Sequence, residues 1–599
     1  MSDLFQKELN KIFEESKDLE ETRKRLYEHL NELELEYRSG KVDLHDLDYQ
    51  LALESTNVFK NVISPKNEKI VGFSTLKTLC DLKTGKNLGD IKEGFIQEFA
   101  HLFKAIYGKA KYSDGWLWPS LKKEGAKLVD FSSIKGRKAA DMRSDFLDSA
   151  GKKIAEYMGR YPSGMEPEII KTRERNRKRI LDYFGADLDD WYRKGWQMRH
   201  VFRKKGDLED LKNLVQLTED EIKGISMSVE NRIPFGITPY YLSLMDYEAN
   251  RRRDYQIRSQ VIPSLHYAEN MTKHREDREY ALDFMGEHDT SPHDLITRRY
   301  ITIAIMKPYN SCPQICVYCQ RNWEVTEALS PKATYSKKTI DGAIDWFAEH
   351  PSIIDVLITG GDPFVLNDGM VEYITKRFFE LDHVINLRWG TRIFVTLPMR
   401  ITDKFGEMLG SYIEPGKRNI CCVTHVESSY EITPEVSESV NICRKNKIYV
   451  YNQLVLTLEA SKRFQNVATR IAMKKVGIDP YYTFYPKGKE EQKDYLVPIA
   501  RLCQERKEEA RILPGIFRTD EPVFNVPRLG KIHLRASPDR ELIAITPEGR
   551  RIYRFYPWEK GITPVKCYIY KDVSIYRYLK EIEKRGEKTE DYKSIWYYY

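Results

Sequence analysis

The chain has 599 residues, 41% hydrophobic and 31% charged, an ordinary balance for folded domains and too long for a single core. Its 97 basic and 90 acidic side chains leave a formal net charge of +7, a mixed solvated surface without the clustered excess of a nucleic-acid binder. No signal-peptide core opens the sequence and no stretch reaches the ~20 apolar residues that span a bilayer, so a cytoplasmic protein is expected, with reduced thiols and with no membrane and no nucleic-acid partner.

Residues from about 3 to 60 are rich in Glu, Lys and Leu, and Leu26, Leu30, Leu33 and Leu35 give a loosely helical stripe that predicts one or two helices. Residues 60–165 are aromatic and glycine-punctuated and carry no interpretable motif. From Pro167–Phe184 the charges alternate in sign, which suits i,i+4 pairing on a solvated helix face. Thr218-Glu219-Asp220-Glu221 reads as a capping box opening another helix. Short apolar, β-branched runs then recur at 300–306, 353–359, 393–397, 420–424, 448–451 and 481–485. Between them lie amphipathic stretches at 340–347, 371–381, 436–445 and 467–475. Buried runs alternating with helical patterns are the signature of parallel βα units. Six of them predict an α/β fold, an open (β/α)6 partial barrel with its chemistry at the C-terminal ends of the strands. The expected division is a helical N-terminal extension over 1–165, a helical lead-in over 166–295, the partial barrel over 296–515, and a β-rich C-terminal and tail segment over 516–599.

Three of the nine cysteines fall within eight positions, in Asn310-Ser311-Cys312-Pro313-Gln314-Ile315-Cys316-Val317-Tyr318-Cys319, directly after the first predicted strand. Thiolates are soft ligands that favour zinc or iron–sulfur clusters. A structural zinc needs four closed ligands, and no Cys or His lies between Cys319 and His350. Three thiolates on a four-iron cluster instead leave one iron open, as a reaction centre requires. The second predicted strand ends Thr359-Gly360-Gly361-Asp362-Pro363, where two glycines let backbone approach a ligand closely, although turns use the same residues.

The CxxxCxxC spacing, with Tyr318 before the last cysteine, resembles the radical S-adenosylmethionine superfamily. Within it the chain resembles the lysine 2,3-aminomutase family from about Pro167 to Pro557. The matching segments are 191–200, Gly236 to Leu244, Gln260 to Pro263, Arg388-Trp389-Gly390-Thr391-Arg392, Thr424-His425, Glu431-Ile432-Thr433 and Asn452-Gln453. The resemblance implies a [4Fe-4S] cluster on Cys312, Cys316 and Cys319. It implies S-adenosyl-L-methionine held by Gly360, Gly361, Asp362, His425, Asn452 and Gln453. One electron would break the sulfonium bond, and the resulting 5′-deoxyadenosyl radical would start a 1,2-amino shift on an amino-acid-like substrate. Arg321 matches the arginine that grips the substrate carboxylate, a bidentate role that suits a guanidinium. An electron donor such as flavodoxin or ferredoxin and a homo-oligomer are implied as well, the oligomer held without the family's intersubunit zinc, since Cys567 stands alone near the C-terminus.

The departures concern pyridoxal phosphate and the substrate. Arg299 matches one arginine near the cofactor phosphate, but the second falls on Ile303. The family's pyridoxal-binding lysine falls on Pro527, and Lys531 is the nearest amine, four residues later. An imine needs a deprotonatable amine, which proline lacks. Of the two acidic residues that read the far ammonium of lysine, one matches Asp520 and the other falls on Lys487. Two like charges at ~4 Å repel by about 4 kcal/mol at an effective dielectric near 20, so L-lysine is not the expected substrate. Three readings stand at this point: an amino shift assisted by pyridoxal phosphate, a pyridoxal-independent hydrogen abstraction on an amino-acid-like substrate, and a non-catalytic binding protein that keeps the cluster as scaffold, against which the intact Gly360-Gly361-Asp362 and Arg321 count.

Overall fold

The computed structural model describes residues 6–40, 42–115, 117–123, 133–249, 253–486, 489–535, 539–557 and 564–599. Two compact units emerge, and they interleave along the chain. One comprises residues 158–496 and 509–531, the other 1–157, 497–508 and 532–599.

The first unit is organised by a nine-stranded sheet in the order β1-β2-β3-β4-β5-β6-β7-β8-β9. Its strands are β1 (Ile296–Arg298), β2 (Ile303–Tyr309), β3 (Asp355–Gly360), β4 (Asn386–Gly390), β5 (Asn419–Thr424), β6 (Tyr449–Val455), β7 (Ile478–Phe484), β8 (Glu521–Val526) and β9 (Gly530–His533). β1 runs antiparallel to β2, and every neighbouring pair from β2 to β8 is parallel. Helices Lys337–Ala348, Asp368–Phe379, Asp403–Gly410, Pro434–Lys445 and Gln465–Val476 connect successive parallel strands. Ile340, Ala343, Ile344 and Phe347 recur at helical spacing and join Val356 and Ile358 of β3 in one buried core. The intervening β3 residues, Asp355, Leu357 and Thr359, are half-buried. Since strand side chains alternate between faces, β3 is sealed by helices on one face and half-buried on the other.

The predicted α/β alternation is present, with one run misplaced. Residues 393–397 do not form a strand: Ile393–Thr396 is a short buried helix, and the strand lies upstream at β4. Periodicity cannot separate a short buried helix from a buried strand. Arg388, facing the interior from the middle of β4, breaks the apolar run that would have marked it.

The second unit carries helices Lys7–Glu15, Leu19–Arg38, Asp46–Val62 and Glu93–Ile106 and an antiparallel sheet of β10 (Arg540–Ile545), β11 (Arg551–Phe555) and β12 (Tyr568–Lys571). Leu26 and Leu30 are buried as the stripe predicted, whereas Leu35, five residues beyond Leu30, is 69% exposed. In the core Arg551 forks onto Glu98, with both Nε contacts at 3.1 Å. Back in the first unit, helix Pro167–Phe184 departs from a purely solvated face, because Arg173 and Asn176 are buried. The capping box at Thr218 and Glu221 is formed. No helix among the described residues is long and apolar enough to cross a membrane.

Candidate functional site

The cysteine loop leaves the C-terminal end of β2 and is pinned by main-chain bonds. Ile315 N donates to Gly236 O at 3.1 Å, Val317 N to Gln260 O at 2.9 Å and Leu329 N to Cys312 O at 3.1 Å. The motif segments around Gly236 and Gln260 therefore form the seat of this loop. None of the three cysteines is in a disulfide. Burial first, then the Asp362 carboxylate and the sulfurs of Cys319 and Cys316, hold the Cys312 thiol well above its ordinary range. All three cysteines are half-buried. Among the described residues no three His, Cys, Asp or Glu side chains converge on a single-ion position. A cubane differs from a single ion in holding each thiolate at a separate corner, so three cysteines on one loop could hold it without converging on one point.

Gly360 and Gly361 end β3 against this loop. Gly360 has φ +106°, and a Cβ there would meet Tyr309 O at 2.6 Å. A Cβ on Gly361 would stand 2.0 Å from Ser311 O. Glycine is thus required by contact with the loop entry itself. Asp362 N donates back to Ser311 O at 2.8 Å. The Asp362 carboxylate accepts from Thr391 Oγ1 at 2.7 Å, Arg392 N at 2.7 Å and Phe364 N at 3.2 Å. Burial still raises it to about 6 against those bonds.

Arg392, immediately beyond β4, joins most of the remaining site. Its Nη1 lies 2.7 Å from Cys316 Sγ, its Nη2 donates to Glu431 Oε1 at 2.9 Å and to Gln260 Oε1, and its Nε donates to His425 O at 3.3 Å. Glu431 also accepts from Tyr241 OH at 2.7 Å and Gln260 Nε2 at 3.1 Å. His425 Nδ1 sits 2.5 Å from the Gln453 carbonyl, which can only accept, so the proton resides on Nδ1, while Nε2 lies 2.7 Å from Tyr318 OH, whose own proton is donated to Gln260 Oε1 at 2.8 Å. Burial, with the Arg392 charge beside it, pushes His425 down to about 3 and keeps it neutral. Asn452 clasps the Val426 backbone through both amide atoms, at 2.6 and 3.0 Å. Sequence reasoning placed Gln260, Tyr241, Arg392 and Glu431 in matching segments without giving them a role. Their shared contacts are visible only in three dimensions.

Deeper in the interior, Arg321 donates to Glu287 at 2.7 Å and Glu324 at 3.0 Å. Lys307 Nζ reaches Glu324 at 2.7 Å and Glu287 at 3.7 Å, and Arg299 lies 3.1 Å from Glu287. Burial acts to raise the Glu287 carboxyl, but Arg321, Arg299 and Lys307 outweigh it and hold it at about 2. Three cations face two carboxylates here, leaving one positive charge in excess. Glu287, Lys307 and Glu324 gave no sequence signal.

Lys531, on β9, sits between aromatic rings, its Nζ 5.1 Å from the Tyr300 and Tyr482 centroids and 5.8 Å from that of Phe484. Burial first, then Arg299 and Arg388, bring its amine from 10.5 down to about 8. Arg388 is held by Asp355 at 2.7 Å and Tyr481 OH at 2.8 Å. Ile303 is a half-buried residue of β2. Asp520 is buried and gripped by Arg470 at 2.7 and 2.9 Å, with Thr483 Oγ1 at 2.5 Å. Lys487 lies outside the described residues.

An uncharacterized KamA family protein of Methanocaldococcus jannaschii is 53% identical over 600 residues, covering 99% of this chain and 96% of that protein. The chain belongs to the KamA family. No protein-family model matches it. A glutamate 2,3-aminomutase of Clostridioides difficile is 33% identical over 323 residues, covering 54% of this chain and 70% of the enzyme. An L-lysine 2,3-aminomutase of Bacillus subtilis is 37% identical over 257 residues, 43% of this chain and 49% of that enzyme. This KamA chain thus shares nearly its whole length with the first relative and about half of it with the named aminomutases.

Proposed function

We propose that this KamA family chain is a radical S-adenosylmethionine enzyme that carries out a 1,2-amino shift, of 2,3-aminomutase type, on an amino acid other than L-lysine. The observation that carries the reading is the meeting of the three-cysteine loop with Gly360-Gly361-Asp362 and the His425–Gln453 pair at the C-terminal ends of parallel strands. The relationship to two 2,3-aminomutases supports it. In this reading β2 to β7 are the open (β/α)6 partial barrel.

Cys312, Cys316 and Cys319 would hold the [4Fe-4S] cluster, which when bound supplies the electron that cleaves S-adenosylmethionine. Gly360 and Gly361 bring bare backbone to the edge of that pocket, Asp362 orders the turn behind it, and neutral His425 offers a fixed ring beside Gln453. Arg321 orients a substrate carboxylate, which would balance the excess positive charge of the Glu287 cluster; an uncompensated buried charge is costly.

Pyridoxal phosphate would lie beside the same charge cluster, since Arg299 stands 3.1 Å from Glu287. Buried Nε and Nη2 of Arg299 make no hydrogen bond of good geometry among the described residues, and burial brings the Lys531 amine down to about 8. Lys531 would hold the aldehyde and Arg299 the phosphate, and the group when bound would supply electron delocalisation for the amino shift. The substrate assignment rests on charge: Asp520 is committed to Arg470, and the interior presents Arg299, Arg388 and Lys531, so a far ammonium finds cations. A soluble cytoplasmic setting, a flavodoxin- or ferredoxin-type reductant and a homo-oligomer complete the proposal.

The test is anaerobic reconstitution with iron and sulfide, then dithionite and S-adenosylmethionine. Formation of 5′-deoxyadenosine is expected, with a β-amino product from an amino acid lacking a distal ammonium. No 5′-deoxyadenosine from a chain loaded with iron would end this reading. Turnover without bound pyridoxal phosphate would replace the amino shift by the pyridoxal-independent hydrogen abstraction.

A further inference from the structure

We propose that Arg392 is a positioning residue for the iron–sulfur centre: its guanidinium donates to the Cys316 sulfur and raises the reduction potential of the cluster, with Asp362 acting through it. The proposal rests on the reading that Cys312, Cys316 and Cys319 hold a four-iron cluster.

The geometry leaves Arg392 little freedom. Its side chain is 10% exposed, and Nη1 points at Cys316 Sγ from 2.7 Å. The rest of the fork is fixed from behind by Glu431, Gln260 and Tyr241, the last at 3.4 Å, and by the His425 carbonyl. Its main chain is fixed too, because Asp362 takes the Arg392 N–H on one oxygen and the Thr391 hydroxyl on the other, each at 2.7 Å. Glu431 is in turn saturated by Tyr241, Gln260 and the main-chain N–H groups of Glu427, at 2.7 Å, and Ser428, at 3.2 Å. The positive end of the pair therefore faces the sulfur, and the carboxylate stands behind it.

Hydrogen bonds to ligand sulfurs and the local net charge are main determinants of cluster potential. Reduction adds one negative charge to a cluster already bound by three thiolates. A buried cation at one thiolate stabilises the reduced form more than the oxidised form. A lysine would keep the charge and lose the planar fork that four partners hold. Asp362, which its place after two glycines marks as a ligand contact, gains a different role, because its carboxylate aims Arg392.

The experiment uses the full chain, reconstituted anaerobically as wild type, Arg392→Lys, Arg392→Gln and Asp362→Asn. Iron and sulfide content are measured first, then the reduction midpoint by mediator-buffered dithionite titration followed by electron paramagnetic resonance. Arg392→Gln is expected to hold wild-type iron with a midpoint shifted to more negative potential, Arg392→Lys to lie between, and Asp362→Asn to shift in the same direction by less. Wild-type iron content with unchanged midpoint and line shape in Arg392→Gln would overturn the proposal. Should that variant assemble no cluster, Arg392→Lys and Asp362→Asn decide it, since wild-type midpoints in both would overturn it equally. A wild-type chain that builds no four-iron cluster sinks the underlying reading instead, and the two failures are distinguishable.

Discussion

Replacing Glu287 by Gln tests the buried charge cluster most directly. Glu287 is fully buried, 2.7 Å from Arg321, 3.1 Å from Arg299 and 3.7 Å from Lys307. Its carboxyl moves from an ordinary 4.5 to about 2. At about 1.4 kcal/mol for each tenfold change in proton affinity, that corresponds to about 3 kcal/mol. The sign follows from linkage: a carboxyl whose folded value is depressed stabilises fully above its unfolded value, and the benefit is lost as pH falls towards about 2. Removing one member of a buried ion network costs ~3–5 kcal/mol by an independent route, because the cations are left unpaired. Glu287→Gln should therefore lose about 3 kcal/mol near neutral pH, and the deficit should shrink below about pH 4. Chelator-treated protein keeps cluster loss from masking the effect. Hydrogen exchange of β2 amides reads the unit concerned, since a two-unit chain need not unfold in one step. Equal protection in both proteins at neutral pH, or a deficit unchanged down to about pH 2, would refute the assignment.

Three further outcomes are expected. Alanine at Cys312, Cys316 or Cys319 should each abolish both the four-iron content and 5′-deoxyadenosine formation, read by iron analysis and chromatography. Gly361→Ala forces a Cβ to within 2.0 Å of Ser311 O and should cost ~1–3 kcal/mol or more while displacing the cysteine loop, visible as a lower melting temperature and poor iron uptake. Incubation with pyridoxal phosphate and borohydride should leave a pyridoxyl group on Lys531 in a peptide map, absent in Lys531→Arg, with a trapping rate that rises with pH through about 8 as the amine loses its proton.

The order of βα units was legible because short apolar, β-branched runs alternate with amphipathic stretches along the chain. The same rule hid β4. An interior-facing Arg388 masks the strand, while Ile393-Phe394-Val395 beside it is apolar for a different reason, as a buried helix. The cysteine loop was legible from spacing, since three thiols on ten residues need no fold to meet. Glu287 and Glu324 belong to no pattern: they are 37 positions apart and are joined because Arg321 and Lys307 each reach both. Lys531 was named from its neighbours in sequence, but its aromatic surround comes from Tyr300, Tyr482 and Phe484, which no local reading assembles.

The interior carries more charge than stability alone would select. Buried ionic groups are often matched or bettered by apolar side chains of similar volume, and β2, β4 and β9 could have presented Leu or Ile where they present Lys307, Arg388 and Lys531. The cations also outnumber their carboxylates: Arg299, Lys307, Arg321, Arg388 and Lys531 face Glu287, Glu324 and Asp355, an excess of two. An excess of this kind raises the energy of the empty interior and falls when anions enter it. That asymmetry predicts tighter binding of a ligand set bearing at least two negative charges than of one carrying a distal ammonium, which competition binding of the two would check.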